Sequence, residues 1–158
     1  ILLDSGTTTP FIAKYLTNDM PLTVLCYTSD NTFELIHRPN VNLILAGGYY
    51  DRNSHVFRGN ECSELMKSIR AEKAFISAAG VDEKLGLTTY FYFESEIKKT
   101  FIELAKRIIL VADSSKFGKI SISYFGSLEQ VHTVITDDGL SPEYRDFIKN
   151  IGIELILA

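Results

Sequence analysis

Apolar, β-rich runs punctuate the chain at 1–3, 22–26, 41–46, 74–78, 108–112, 131–135 and 153–157. Each is short and mostly apolar, which is how a strand of a buried sheet reads. Most of the segments between them carry helical periodicity. The clearest is 93–107, where Phe93, Ile97, Phe101, Leu104 and Ile108 recur at three- and four-residue spacing to make one apolar face. Shorter helices are predicted at 10–16, 31–37, 60–69 and 142–149, the last opened by Ser141 as N-cap with Pro142 in the first turn. Strands alternating with helices imply a parallel sheet. The chain is therefore expected to form a single α/β domain: a doubly wound, three-layer αβα, Rossmann-like fold with a mostly parallel sheet.

Ligands of such sheets gather at the carboxyl ends of the strands, which directs attention to 4–9, 27–29, 47–48, 79–82 and 113–116. The first of these, Asp4-Ser5-Gly6-Thr7-Thr8-Thr9, runs from a buried strand through a glycine turn into a helix. Thr9 is expected as the N-cap and Pro10 at the first helical position. Free amides and three threonine hydroxyls then converge where an anion fits; the same residues would also serve if they only turned and capped the chain.

Composition narrows the picture without redirecting it. The chain has 158 residues, is 46% hydrophobic and 23% charged, and matches one globular domain. Lys and Arg number 16 against 20 Asp and Glu, a net charge of -4, so the segment lacks the basic surplus that gripping a nucleic-acid backbone demands. No apolar run approaches a membrane span and no signal-peptide pattern opens the chain, which points to the cytoplasm. Cys26 and Cys62 have no CxxC partner, and His37, His55 and His132 show no ligand spacing, so neither a disulfide nor a metal is expected, and no cofactor either. The start inside a strand, without Met, reads as one domain of a longer protein.

Several side chains fall where chemistry is expected. Lys116 ends the run Ala112-Asp113-Ser114-Ser115-Lys116, presenting a point charge just beyond a strand, suited to a phosphate or simply solvated. Asp4 and Asp113 end strands, where they can orient a hydroxyl or cap a turn. Lys98 follows Glu94 by four residues, the spacing of an intrahelical ion pair. Gly47-Gly48 suits a tight turn or a close approach. Asp82 and Glu83, between Gly80 and Gly86, are either a base beside a bound sugar or solvated loop charges.

In their order along the chain, Asp4-Ser5-Gly6-Thr7-Thr8-Thr9, Leu45-Ala46-Gly47-Gly48, Ala74-Phe75-Ile76 leading to Gly80-Val81 and Gly86-Leu87-Thr88, Glu96-Ile97-Lys98-Lys99, Ala112 through Gly118, and Ile135-Thr136-Asp137 resemble the C-terminal sensor domain of DeoR-type transcriptional repressors. One departure follows the second strand, where the family usually shows Thr-Asn-Ser and this chain has Cys26-Tyr27-Thr28. Thr28 keeps a hydroxyl where the serine would stand. The resemblance implies a phosphorylated sugar as effector and homo-oligomerisation. It also implies operator DNA contacted only through an N-terminal winged helix-turn-helix outside this chain. It places the phosphate on Gly6, Thr7, Thr8, Thr9 and Lys116, with Asp4, Thr28, Gly80, Asp82 and Lys98 around the sugar.

The same fold is similar to ribose-5-phosphate isomerase and glucosamine-6-phosphate deaminase, so an enzyme is the rival reading. Isomerisation needs a positioned carboxylate. In the isomerases it comes from an Asp-Gly-Ala-Asp segment followed by a lysine-led glycine turn. Here Ser77-Ala78-Ala79-Gly80-Val81-Asp82 and Leu85-Gly86-Leu87-Thr88 keep at most one acid, Asp82, and lose the lysine. Binding without turnover, with no catalytic residue, is the expectation.

Overall fold

The computed structural model describes residues 1–17 and 21–158. In chain order the elements are β1 (Leu2–Leu3), α1 (Thr9–Tyr15), β2 (Leu22–Cys26), α2 (Ser29–Leu35), β3 (Val41–Leu45), β4 (Tyr49–Asp51), β5 (Val56–Arg58), α3 (Asn60–Lys67), β6 (Ala71–Ile76), β7 (Gly80–Asp82), β8 (Gly86–Thr89), α4 (Tyr92–Leu104), β9 (Ala105–Val111), β10 (Ser123–Gly126), β11 (Thr133–Thr136), α5 (Pro142–Asn150) and β12 (Glu154–Leu157). All seven apolar runs become strands of one sheet, ordered β12-β11-β9-β6-β1-β2-β3, and every pairing in it is parallel.

β1 is only two residues long, yet it separates two cores. Leu2 joins the larger apolar cluster with Leu25, Phe101, Leu104 and Met66, whereas Leu3 joins Ala13, Val24, Cys26 and Leu35 beneath α1 and α2. Successive strand residues point to opposite faces, so this division is what a sheet covered on both sides produces.

The long helix ends at Leu104, three residues short of the predicted 107. Residues 105–107 are strand because Ala71↔Ala105 and Lys73↔Arg107 pair in the sheet, and that register overrides the helical period. Two small antiparallel sheets were not legible: β4–β5, and β10-β8-β7. Their strands are three or four residues long and three of them begin or end in glycine, too short for alternation to register. The Gly47-Gly48 pair leads from β3 into β4; a Cβ on Gly48, at φ +136°, would meet the Arg58 carbonyl oxygen at 2.7 Å, so close backbone approach is what demands glycine there.

Candidate functional site

The order in which strands are added reverses at β1: β2 and β3 lie on one side, β6, β9, β11 and β12 on the other. Segments leaving β1 and β6 diverge at such a point and leave a crevice beyond the strand ends. A cavity of about 230 Å³ occupies it. Its lining comes from Ser5–Thr8 after β1, Ser77, Ala78 and Ala79 after β6, Val111, Asp113 and Lys116 at the end of β9, Thr89, Tyr90, Phe91 and Glu94 between β8 and α4, and Ser54 from the β4–β5 hairpin.

Gly6 sits at φ +119°, and a Cβ there would stand 2.8 Å from Ser77 Oγ. The turn therefore needs glycine for both conformation and space. The N–H groups of Gly6, Thr7 and Thr8 donate to no other described residue, leaving three amides at the cavity wall. Thr9 has a different place from the one predicted. It is the first residue of α1, Thr8 is the N-cap, and Thr8 makes no capping hydrogen bond. Thr9 is buried and its hydroxyl donates to the Asp4 carbonyl at 2.8 Å, tying the turn to its strand from behind.

Asp4 and Lys98 are brought together, but within the protein. Neither lines the cavity, and their side chains are 0% and 2% exposed. Asp4 Oδ2 accepts from Lys98 Nζ and from the Ser77 amide at 2.8 Å; Oδ1 accepts from the Tyr27 hydroxyl at 2.6 Å. Lys98 also donates to the carbonyl and hydroxyl of Ser77, at 3.1 and 3.0 Å. The Ser77 hydroxyl in turn donates to the Ser5 carbonyl at 2.7 Å. The two serines of the cavity floor are thus braced by a buried ion pair directly beneath them. The expected Glu94–Lys98 ion pair does not form, because Asp4 offers the lysine a desolvated carboxylate partner and Glu94 turns instead to Thr89.

Tyr27 supplies the polar contact that the departure from the Thr-Asn-Ser pattern left open. Its hydroxyl donates to Asp4 and lies 2.9 Å from the Ser5 hydroxyl, while its ring packs edge-on against Phe101 at 5.7 Å. Burial first, and then the Asp4 charge, push its phenol well above the ordinary range.

Lys116 lies in a 3-10 turn, Ser114–Lys116, whose start is held by two carboxylates. Asp113 accepts from the Ser115 amide at 3.0 Å, and Asp137, after β11, accepts from the Ser114 amide at 2.7 Å. The Ser114 hydrogen bonds hold the Asp137 carboxyl below its usual range. Lys116 Nζ stands 3.8 Å from Asp113 Oδ2, a loose pair that keeps the ammonium beside the cavity.

Three predicted site residues lie elsewhere. Thr28 caps α2, accepting from the Asn31 amide at 3.1 Å. Gly80 packs where a Cβ would meet the Lys119 carbonyl oxygen at 2.4 Å. Asp82 caps the β7–β8 turn, accepting from the Leu85 and Lys84 amides at 2.8 and 2.9 Å, which hold its carboxyl below the usual range. None of the three lines the cavity. Reasoning along the chain missed Ser54, Ser77, Thr89, Tyr90, Phe91 and Glu94 as lining residues. Glu94 was hidden by its helical spacing to Lys98.

Among the described residues no helix is long and apolar enough to cross a membrane, and no group of three or more His, Cys, Asp and Glu is placed to hold a metal ion. The family model described as the DeoR C terminal sensor domain matches residues 1–138. The chain is 34% identical, over 98% of its length, to the HTH-type transcriptional regulator IolR of Bacillus subtilis, and 30% identical, over 99%, to the deoxyribose operon repressor of Escherichia coli K12. It is 28% identical over its whole length to the HTH-type transcriptional regulator GolR of Listeria innocua. It spans 62% of each of these relatives. A match that begins at the first strand and runs past β11, joined to relatives aligned over nearly every residue, leads to one assignment: this chain belongs to the DeoR C-terminal sensor domain family.

Proposed function

We propose that the domain senses a phosphorylated sugar, and that binding alters operator affinity through a helix-turn-helix region outside this chain. The observation that carries the reading is the meeting of three unpaired amides, at Gly6, Thr7 and Thr8, with the Lys116 ammonium around one cavity at the switch point of the sheet. Amide donors and a lysine point charge are the elements of a phosphate cradle. Effector binding regulates only if it favours one arrangement of the repressor over another. Self-association of the domain is part of the proposal; Tyr90, Tyr92, Ile122 and Tyr124, exposed on and beside the β10-β8-β7 sheet, supply an apolar surface for it.

A thermal-shift panel of pentose and hexose phosphates tests the reading. Ligand at 100 times its dissociation constant stabilises by about 2.7 kcal/mol. At about 2–4 °C per kcal/mol for a domain of this size, the midpoint rises by about 5–11 °C. The unphosphorylated sugars leave it unchanged. No shift with any phosphate would sink the proposal.

Isomerase-like turnover is the second reading, and Glu94 favours it: a carboxylate in the cavity with its pKa raised by burial. Against it, Asp82, the acid that the isomerase comparison offered, is held in a turn outside the cavity. Incubation with ribose 5-phosphate and glucosamine 6-phosphate, followed by NMR, separates the two; product formation reverses the ranking.

A further inference from the structure

Glu94 has no part in holding a phosphate, yet it projects from the first turn of α4 into the same cavity. Thr89 Oγ1 donates to its Oε2 at 2.6 Å, and Oε1 has no hydrogen-bond partner among the described residues. The charged groups around it are Lys98 and Asp4, and these are joined to each other. Glu94 is therefore a half-buried carboxylate without a cation of its own. Burial raises its pKa, so keeping it ionised costs the fold stability. Thr89 does not require that charge, since a neutral amide oxygen accepts the same hydrogen bond.

An ionised carboxylate only accepts hydrogen bonds. The cavity thus has donors at 6–8 and Lys116, and an acceptor at Glu94. Its volume of about 230 Å³ lies below the ~300–1,000 Å³ of pockets for drug-sized ligands, which suits one sugar ring rather than a disaccharide or a nucleotide.

We propose that Glu94 determines specificity, accepting hydrogen bonds from the hydroxyl or amino donors of a monosaccharide monophosphate whose phosphate lies at Gly6–Thr8 and Lys116. The inference rests on the phosphate-site reading above and adds the residue that distinguishes a sugar phosphate from phosphate alone.

The test is calorimetric or NMR titration of the wild type, Glu94→Gln and Glu94→Ala with inorganic phosphate, ribose 5-phosphate, glucose 6-phosphate and glucosamine 6-phosphate. The tightest sugar phosphate should lose roughly tenfold or more in affinity with Glu94→Ala and less with Glu94→Gln, because charged acceptors make the stronger bonds. Inorganic phosphate should change by less than about twofold, and the unliganded Glu94→Gln domain should melt no lower than the wild type. Equal losses for sugar phosphate and inorganic phosphate, unchanged sugar-phosphate affinity, or a melting point that falls with Glu94→Gln would each overturn the assignment. A wild type that binds inorganic phosphate as tightly as every sugar phosphate removes this inference and leaves the phosphate site standing. A wild type that binds none of the four removes both.

Discussion

Replacing Lys98 by Met isolates the buried pair under the cavity floor. The methionine keeps most of the apolar stem, so the change removes the ammonium with little loss of volume. What it leaves is Asp4, fully buried, with the Tyr27 hydroxyl and the Ser77 amide as its shortest remaining hydrogen bonds and the Ser77 and Ser5 hydroxyls farther off. Taking one partner from a buried ion pair costs about 3–5 kcal/mol, most of it the desolvation of the stranded charge. The cation's contact with the Phe125 ring, at 5.4 Å, is lost as well. At about 2–4 °C per kcal/mol the melting point should fall by about 6–20 °C. Urea unfolding followed by circular dichroism measures the loss, with the exposed Lys106→Met as control. The double variant Asp4→Asn with Lys98→Met should recover at least about 1 kcal/mol relative to the sum of the single changes, because it strands no charge. A loss under about 1 kcal/mol, or strict additivity, would refute the claim that these groups depend on each other.

Lys116→Ala should weaken binding of the best sugar phosphate roughly tenfold or more with little change in stability, while Lys119→Ala, equal in charge and exposed three residues on, leaves affinity nearly intact; calorimetric titration compares them. Tyr27→Phe removes one donor from Asp4 and keeps the ring against Phe101, so denaturant unfolding should show a loss of about 1–3 kcal/mol. Glu94 has a raised pKa in the folded state, so its ionisation costs stability as pH rises through its unfolded value and beyond. Thermal melts should accordingly show Glu94→Gln gaining on the wild type between pH 4 and pH 7, and a gap that narrows over that range contradicts the burial argument.

The architecture was readable because the seven sheet strands lie in short, mostly apolar runs, and most of the segments between them carry helical periodicity. The phosphate half of the site was readable for a related reason: Gly6, the threonines and Lys116 are adjacent in sequence to strand ends, and fold topology alone places strand ends together. Contacts between distant segments were not. Asp4 and Lys98 are 94 residues apart, and the four-residue spacing to Glu94 offered a nearer explanation for both members of α4. Thr28 and Asp82 look like ligand groups along the chain because capping residues and binding residues are the same types, and only the local amides reveal which task they perform. The small antiparallel sheets escaped for want of length, and with them went Ser54, Thr89 and Tyr90 on the cavity wall.

The brace beneath Ser5 and Ser77 divides the cavity into parts with different freedom to change. Its floor is made of residues whose side chains also hold β1, β6 and α4 together, so an altered floor puts the fold at risk before it alters a preference. Tyr90 and Phe91 on the rim, and Ser54 at the tip of a separate hairpin, lie outside that network. A library aimed at new effectors should therefore hold Asp4, Tyr27, Ser77 and Lys98 constant and vary the rim, where a substitution can reshape the cavity without loosening the sheet.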